Sequence, residues 1–405
     1  MPPFPLPNKI HEREMDKTDI PGTFNAGATL GPVNETNMSR IWNKHKQSNT
    51  PLKRKVFVGL SGGVDSSVSA ALLLQQGYDV TGVFIKIWQP EWTECTMAKD
   101  RLDAMRVCAH LDIPFKEIDL TEDYKRDVVD YMISEYKEGR TPNPDVTCNR
   151  FIKFGRFFTW AIEQGADYVA TGHYAQIGKL RAGGLELRAS KDQSKDQTYF
   201  LWTLKQKQLA ETLFPVGALE KSEVRKLANK FKLPTAEKKD SQGLCFVGPV
   251  DIKGFLSRYV PQKQGAVLNE KGEVIGRHDG AWFLTIGERH GFTTTKKSPH
   301  DEPFYILNKD IDKNTITVGV KSKVITSSPD SVRLSSVNWI TSAPSTDKIY
   351  EAQIRYHGTR YPCVFEADGL TITFQEKSDA VAYGQSLVFY DGDTCLGGGV
   401  MELFK

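Results

Sequence analysis

Residues 55–200 alternate short, β-rich apolar runs with amphipathic stretches. "KVFVGL" opens the series. After it, Val64, Val68, Ala71 and Leu72 fall on one face of a helix that Gly77 stops. "DVTGVFIKIW" reads as a second buried strand, 100–111 as a helix, "FKEIDL" as a third strand and 122–138 as a long helix closed by Gly139. Another helix is expected over 150–164, with Asn149 as its N-cap and Gly165 beyond its end. "YVATGHYAQI" reads as the next strand. This order predicts an α/β fold with a doubly wound parallel sheet, whose ligands lie at the carboxyl ends of the strands. "GLSGG", "ATGH" and the region around Ile85 sit at such ends.

The pattern changes after about residue 205. "ALEKSEVRKLANKFKLP" is one amphipathic helix. Beyond Gly265, two-residue alternation and tight turns dominate, as in "AVLNEKGEVIG", "CVFEADGLTITF" and "SLVFYDGDTCLGGGVM". This half is expected to be antiparallel, with a small barrel at the C-terminus. Residues 1–50 are rich in Pro, Gly, Asn and Thr and have no sustained period, which predicts a disordered extension. The expected divisions are 1–50, the extension; 51–210, the α/β domain; 211–320, a central domain; and 321–405, the C-terminal barrel.

Composition narrows the classes. A chain of 405 residues is too long for one ordinary core. No apolar run reaches the roughly 18 residues that span a bilayer, so no membrane partner is expected. The net charge of +3 allows a local basic patch but not a general nucleic-acid coat. None of the six cysteines forms a C-x-x-C pair, which argues against a zinc ribbon or an iron–sulfur site of that kind. Their sparseness suits a reducing compartment. The first 35 residues carry five acids against three Lys or Arg, whereas mitochondrial transit peptides are poor in acids. A cytoplasmic protein is therefore expected, with the mitochondrion as the alternative.

The strongest chemical signal is "GLSGGVDSS", Gly59 to Ser67, between a buried strand and a helix. Gly62 and Gly63 allow a sharp turn and close backbone approach to a ligand. Ser61 and Ser66 add hydroxyls, and the helix starting near Val64 offers unpaired N–H groups to phosphate. The Walker lysine is absent. Asp65 would repel phosphate, so its expected role runs through Mg²⁺ accompanying the nucleotide.

"SGGVDSS" resembles the PP-loop of the ATP pyrophosphatase superfamily, whose members split ATP into AMP and pyrophosphate while adenylating a substrate oxygen. "TPNPDVTCNRFIKFG", "ATGHYAQI", "KDQTYFLW", "KKDSQGLCFVG", "WFLTIGERHGF", "IRYHGTRYP" and "QSLVFYDGDTCLGGGVM" follow in the order seen in bacterial and mitochondrial tRNA-specific 2-thiouridylases, and resemble their signatures over residues 55–405. The resemblance implies ATP-dependent replacement of O2 of the wobble uridine, U34, by sulfur. It implies a persulfide on Cys245, a partner thiol at Cys148, a transient Cys148–Cys245 disulfide, and a sulfur-relay or cysteine desulfurase protein as donor. It also implies Asp145 as general acid or base, with Asn143 and Pro144 beside the base.

For the nucleotide, the resemblance implies Gly59, Leu60, Ser61, Gly62, Gly63, Val64, Asp65, Ser66, Ile85 and Gly172. For tRNA it implies His173, Lys195, Asp196, Gln197, Arg355, Tyr356 and Gln385. Local chemistry adds that Cys148 would directly precede a helix start, where the positive end favours thiolate, with Arg150 and Lys153 nearby. The glycines around Cys245 suit a mobile carrier loop. Cys95, Cys108, Cys363 and Cys395 read as structural. The basic stretch from Glu220 to Asp240, with seven Lys or Arg against four acids, reads equally as a solvated helix or as a rail for tRNA. Two rivals remain: a PP-loop synthetase with another substrate, and a non-catalytic RNA-binding protein.

Overall fold

The computed structural model describes residues 53–92, 97–181, 183–239, 252–295 and 302–402. The N-terminal extension, Cys95 and Cys245 lie outside the described residues.

Five parallel strands form the first sheet: β1 (Lys55–Gly59), β2 (Asp79–Lys86), β3 (Phe115–Asp119), β4 (Tyr168–Ala170) and β7 (Thr212–Leu213), in the order β3-β2-β1-β4-β7. Strand β1 is buried on both faces. Val56 and Val58 enter one apolar cluster and Phe57 the other, which is why its sequence is a continuous apolar run. The first cluster holds α1 (Val64–Gln75) and α2 (Met97–Leu111). The second holds two longer helices, α3 over 121–137 and α4 over 144–163. Strand order reverses about β1, which has β2 on one side and β4 on the other, so the ligand cleft opens at Gly59 and Ala170.

Three expectations are corrected. Helix α4 starts at Pro144 rather than at 150. Asn143 is its N-cap, its side-chain oxygen accepting the Val146 N–H at 3.2 Å, and Pro144 fills the first helical position. Asn149 is a buried residue within the helix and its side chain donates to the Phe200 carbonyl at 3.1 Å. From Cys148 to Phe157 the helix widens to π winding. Secondly, "YVATGHYAQI" is two strands. Strand β4 stops at Ala170, and β5 (Gln176–Lys179) turns away to form a hairpin with β6 (Leu185–Arg188). Thirdly, the later half is not purely antiparallel. In the sheet β10-β9-β8-β12-β11, β8 (Gly265–Leu268) and β12 (Thr315–Gly319) run parallel, while β9 (Val274–His278), β10 (Phe292–Thr294) and β11 (Tyr305–Asp310) pair antiparallel.

The C-terminal strands β13 (Ser331–Trp339), β14 (Tyr350–Gln353), β15 (Arg360–Phe365), β16 (Thr371–Phe374), β17 (Ser386–Asp391) and β18 (Thr394–Glu402) close into a six-stranded antiparallel barrel through the β13–β18 pairing. The β5–β6 hairpin of the α/β half joins it, with Thr394 opposite Arg188 and Cys395 opposite Leu187. A shared core follows, in which Val146, Phe154, Leu187, Tyr199 and Trp202 pack with Val388 and Tyr390 of the barrel. The amphipathic helix after residue 205, α5 (Lys221–Lys230), packs Val224 and Ala228 into the first cluster beside α1.

Leu187 is fully buried at this seam. Leu187→Ala is predicted to cost about 2–5 kcal/mol, read as an earlier urea transition. A loss below about 1 kcal/mol would mean that the seam is not a shared core.

Candidate active site

The turn between β1 and α1 is braced by its own serines. Ser67 Oγ donates to the Gly63 carbonyl at 2.7 Å, Ser66 Oγ to the same carbonyl at 3.2 Å, and the Ser61 N–H reaches Ser66 Oγ at 3.3 Å. Gly62 takes a left-handed φ of +70°, a conformation that a side chain resists. Ile85 borders Gly59 from β2, half-buried. Gly172 closes the opposite wall: a Cβ there would lie 2.6 Å from the Ser66 nitrogen, so only glycine lets the β4 end approach the α1 N-terminus so closely. Gly59 through Ser66, Ile85 and Gly172 therefore surround one cradle.

Asp65 is not left facing the cradle unpaired. Lys221 Nζ contacts its two oxygens at 2.7 and 2.8 Å, and the Tyr174 hydroxyl donates to it at 2.9 Å. Neither partner was singled out in the sequence. From the run Lys195 to Gln197, Gln197 is bonded to one of these partners, and Asp196 braces its own loop. Gln197 Oε1 accepts the Tyr174 N–H at 3.0 Å, and Asp196 accepts from the Ser190 N–H at 2.9 Å and the Thr198 hydroxyl at 2.5 Å. Asp196 is buried and Lys195 is half-buried.

From Gly172 the site continues toward α4. His173 is buried against Phe154 and Phe214 instead of facing outward. Its Nδ1 lies 2.7 Å from Thr171 Oγ1 and its Nε2 lies 3.4 Å from Lys153 Nζ. Burial, reinforced by the Lys153 charge, pushes its pKa well below the usual imidazole value, so the ring is neutral. A neutral ring that accepts from the Lys153 ammonium at Nε2 carries its proton on Nδ1. Lys153 also bears on Asp145, in the first turn of α4. Burial raises the Asp145 pKa and Lys153 opposes that rise. Cys148 follows, buried with Phe57, Val83 and Ile152. The positive helix end acts within the first turn. It therefore serves Asn143–Val146, and Cys148 lies beyond it.

The barrel supplies the remaining wall. Tyr356 packs on Phe200 with ring centroids 4.3 Å apart. Burial first, then the Asp196 and Asp145 carboxylates, push its pKa up to about 12. Arg355 donates to the Ala380 carbonyl at 2.8 Å, and Gln385 donates to the carbonyls of Thr141 and Pro142 at 2.9 and 3.0 Å. Both are half-buried side chains bonded within the protein.

Cys245 lies outside the described residues, but the chain on either side of it is anchored. Before it, Lys238 Nζ pairs with Asp100 at 2.8 Å and Asp103 at 2.7 Å, and Arg225 holds the Ala236 and Lys238 carbonyls. After it, Phe255 and Leu256, in the helix Ile252–Leu256, enter the cluster that contains Cys148. Lys221, Arg225 and Lys238 thus serve internal bonds, which leaves fewer charges for a rail. Cys108, Cys363 and Cys395 are buried, and burial raises their pKa to about 11, 12 and 12, as expected of inert thiols.

Comparison with known proteins finds three family domains in succession along the chain. The tRNA methyl transferase HUP domain matches residues 54–249, the tRNA methyl transferase PRC-barrel domain 253–320, and the aminomethyltransferase beta-barrel domain 329–401. The tRNA-specific 2-thiouridylase MnmA of Pseudomonas fluorescens is 45% identical over 357 residues, covering 87% of this chain and 95% of its own. That of Francisella philomiragia is 43% identical over 355 residues, covering 86% and 99%. The chain belongs to the tRNA-specific 2-thiouridylase family. Among solved structures, the U34-tRNA thiolase NcsA of Methanococcus maripaludis is a distant likeness, at 22% identity over 56% of this chain and 73% of that one, with a TM-score of 0.31.

For this 2-thiouridylase family member, Lys221→Met leaves the Asp65 carboxylate without its ammonium beside the cradle. ATP affinity is predicted to fall about tenfold, and Asp65→Asn in the same chain to recover part of that loss. Calorimetric titration of the single and double variants with ATP checks this. Independent, additive losses would mean that the pair does not act on the nucleotide.

Proposed function

We propose that this protein is a tRNA-uridine 2-sulfurtransferase that uses ATP to adenylate O2 of wobble uridine 34 and then replaces that oxygen with sulfur. The observation that carries this reading is the continuity of the site. Gly172 abuts the α1 N-terminus, His173 follows it, Lys153 contacts His173, and Lys153 shares α4 with Asp145 and Cys148. A phosphate cradle and a carboxylate–cysteine pair therefore adjoin, which a reaction joining AMP to a base and then displacing it requires.

The α1 N-terminus and the Ser61–Ser66 turn receive the phosphates. Both Asp65 oxygens contact Lys221, so Asp65 would hold a Mg²⁺ that accompanies ATP only by exchanging that ammonium for it. Asp145, with its pKa raised by burial, acts as general base on N3–H, which makes O2 the nucleophile toward the α-phosphorus; pyrophosphate leaves. A raised pKa suits a base working near neutrality. Phe200 and Tyr356 offer aromatic faces for the extruded base. The terminal sulfur of a Cys245 persulfide attacks C2 and AMP departs with the former O2. Cys148 thiolate then attacks the Cys245 sulfur. The Cys148–Cys245 disulfide forms, and the S–S bond to the base breaks, releasing 2-thiouridine. A dithiol reductant converts the disulfide back to two thiols, itself becoming a disulfide, and a cysteine desulfurase or sulfur-relay protein then reloads Cys245 with persulfide sulfur. Among the described residues no helix is long and apolar enough to cross a membrane, and the sparse cysteines support a cytoplasmic setting.

The test is thiolation of unmodified tRNA by purified protein with ATP and a persulfide donor. Cys245→Ser and Cys148→Ser are each predicted to abolish 2-thiouridine. Persistent thiolation by Cys245→Ser would sink the mechanism.

The Asp145 assignment has its own pH signature. A base must be deprotonated, so activity is lost as pH falls through its raised pKa, above the ordinary carboxylate range near 4. Asp145→Asn is predicted to lower kcat by about 10²–10⁴-fold and to remove that acid limb. An unchanged acid limb in the variant would assign it to another group.

A further inference from the structure

The turn that presents Asn143 and Asp145 lacks two of its own backbone donors. Pro142 and Pro144 have no N–H to donate, and the Asn143 side-chain oxygen is engaged by the Val146 N–H. The support comes from elsewhere in the chain. Gln385 Nε2, on the segment entering β17, forks to the Thr141 carbonyl at 2.9 Å and the Pro142 carbonyl at 3.0 Å. Tyr383 O accepts the Thr141 N–H at 2.8 Å. Between these two residues Gly384 has a φ of +92°, and a Cβ there would lie 3.0 Å from both Arg140 Cβ and the Thr141 nitrogen. Thr285 of the central domain adds a hydroxyl contact to Thr141 at 3.3 Å.

We propose that Gln385 is a positioning residue: the C-terminal barrel uses its side-chain amide to fix the turn before α4, and so aims Asn143 and Asp145 at the reacting base. The proposal rests on the sulfurtransferase reading and deepens it. One nitrogen with two N–H groups matches two successive carbonyls. A carboxylate in its place would set acceptor against acceptor, and a thioether would leave both carbonyls without a donor. Because both hydrogens of the amide are engaged within the protein, neither reaches RNA without breaking a bond to the turn, and the loss on substitution is expected in the geometry of the turn. Displacement of a catalytic group by about 1 Å costs on the order of 10²-fold in rate.

The experiment compares wild type with Gln385→Met, which is close in shape and has no donor, and Gln385→Lys, which keeps N–H donors on a longer stem. Thiolation kcat, tRNA Kd by filter binding and the melting temperature are measured for each. The expected result for Gln385→Met is a kcat lowered at least tenfold, a tRNA Kd within twofold of wild type, and a melting temperature lowered by a few degrees at most. Gln385→Lys is expected to recover part of the kcat. A tRNA Kd weakened tenfold with kcat intact would overturn the proposal in favour of a direct RNA contact. So would wild-type kcat in Gln385→Met. If Gln385→Met melts early, Gln385→Lys decides: a folded Lys variant with no more activity than the Met variant overturns the donor role. Failure of the wild type to thiolate would instead refute the sulfurtransferase reading.

Discussion

The packing of helix α4 between two cores is the constraint on which the rest depends. Cys148, Ile152 and Phe157 face the parallel sheet with Phe57 and Val83. Val146 and Phe154 face the other way, into a core shared with Trp202, Val388 and Tyr390. A helix buried on both sides cannot shift without opening one core, and interiors at crystal-like density transmit such shifts. The α/β half and the barrel are thereby one mechanical unit at the place where Asp145 and Cys148 stand. The β5–β6 hairpin adds backbone pairing to the same joint.

Electrostatics follow from that enclosure. Lys153 is drawn between two groups that burial affects in opposite senses. His173 loses its charge and accepts from the ammonium, while Asp145 is pushed toward its protonated form and is pulled back by the same ammonium. On the nucleotide side, Lys221 pairs directly with Asp65. An acid can stand at the mouth of a phosphate cradle because an ammonium from α5 contacts both its oxygens. In the proposed mechanism the two lysines stand beside its two halves, adenylation at the α1 N-terminus and base chemistry at the α4 N-terminus.

Much of the fold could be read from the chain. Strands buried on both faces, such as β1, are continuous apolar runs, and the hairpins carry Asp-Gly and Lys-Gly turns. The misread start of α4 was also legible: Asn143, Pro144 and Asp145 have the residue types of an N-cap, a first position and an acid in the first turn. The same residue types also build ordinary turns, so the local pattern does not by itself choose a helix start here over one at 150. Other features were not legible. Lys221 reaches Asp65 across 156 positions, and Gln385 reaches Thr141 across 244. No local pattern marks such partners. The hairpin that leaves the parallel sheet for the barrel is likewise fixed by pairing between Arg188 and Thr394. The resemblance named Gln385 as an RNA contact, whereas its bonds in the fold are to the turn before α4.

The most direct measurement of the central claim is mass-spectrometric nucleoside analysis of tRNA from cells lacking this protein. The account predicts that 2-thiouridine at wobble position 34 disappears, returns with the wild-type chain, and does not return with Cys245→Ser. Unchanged 2-thiouridine in the deleted cells would contradict it.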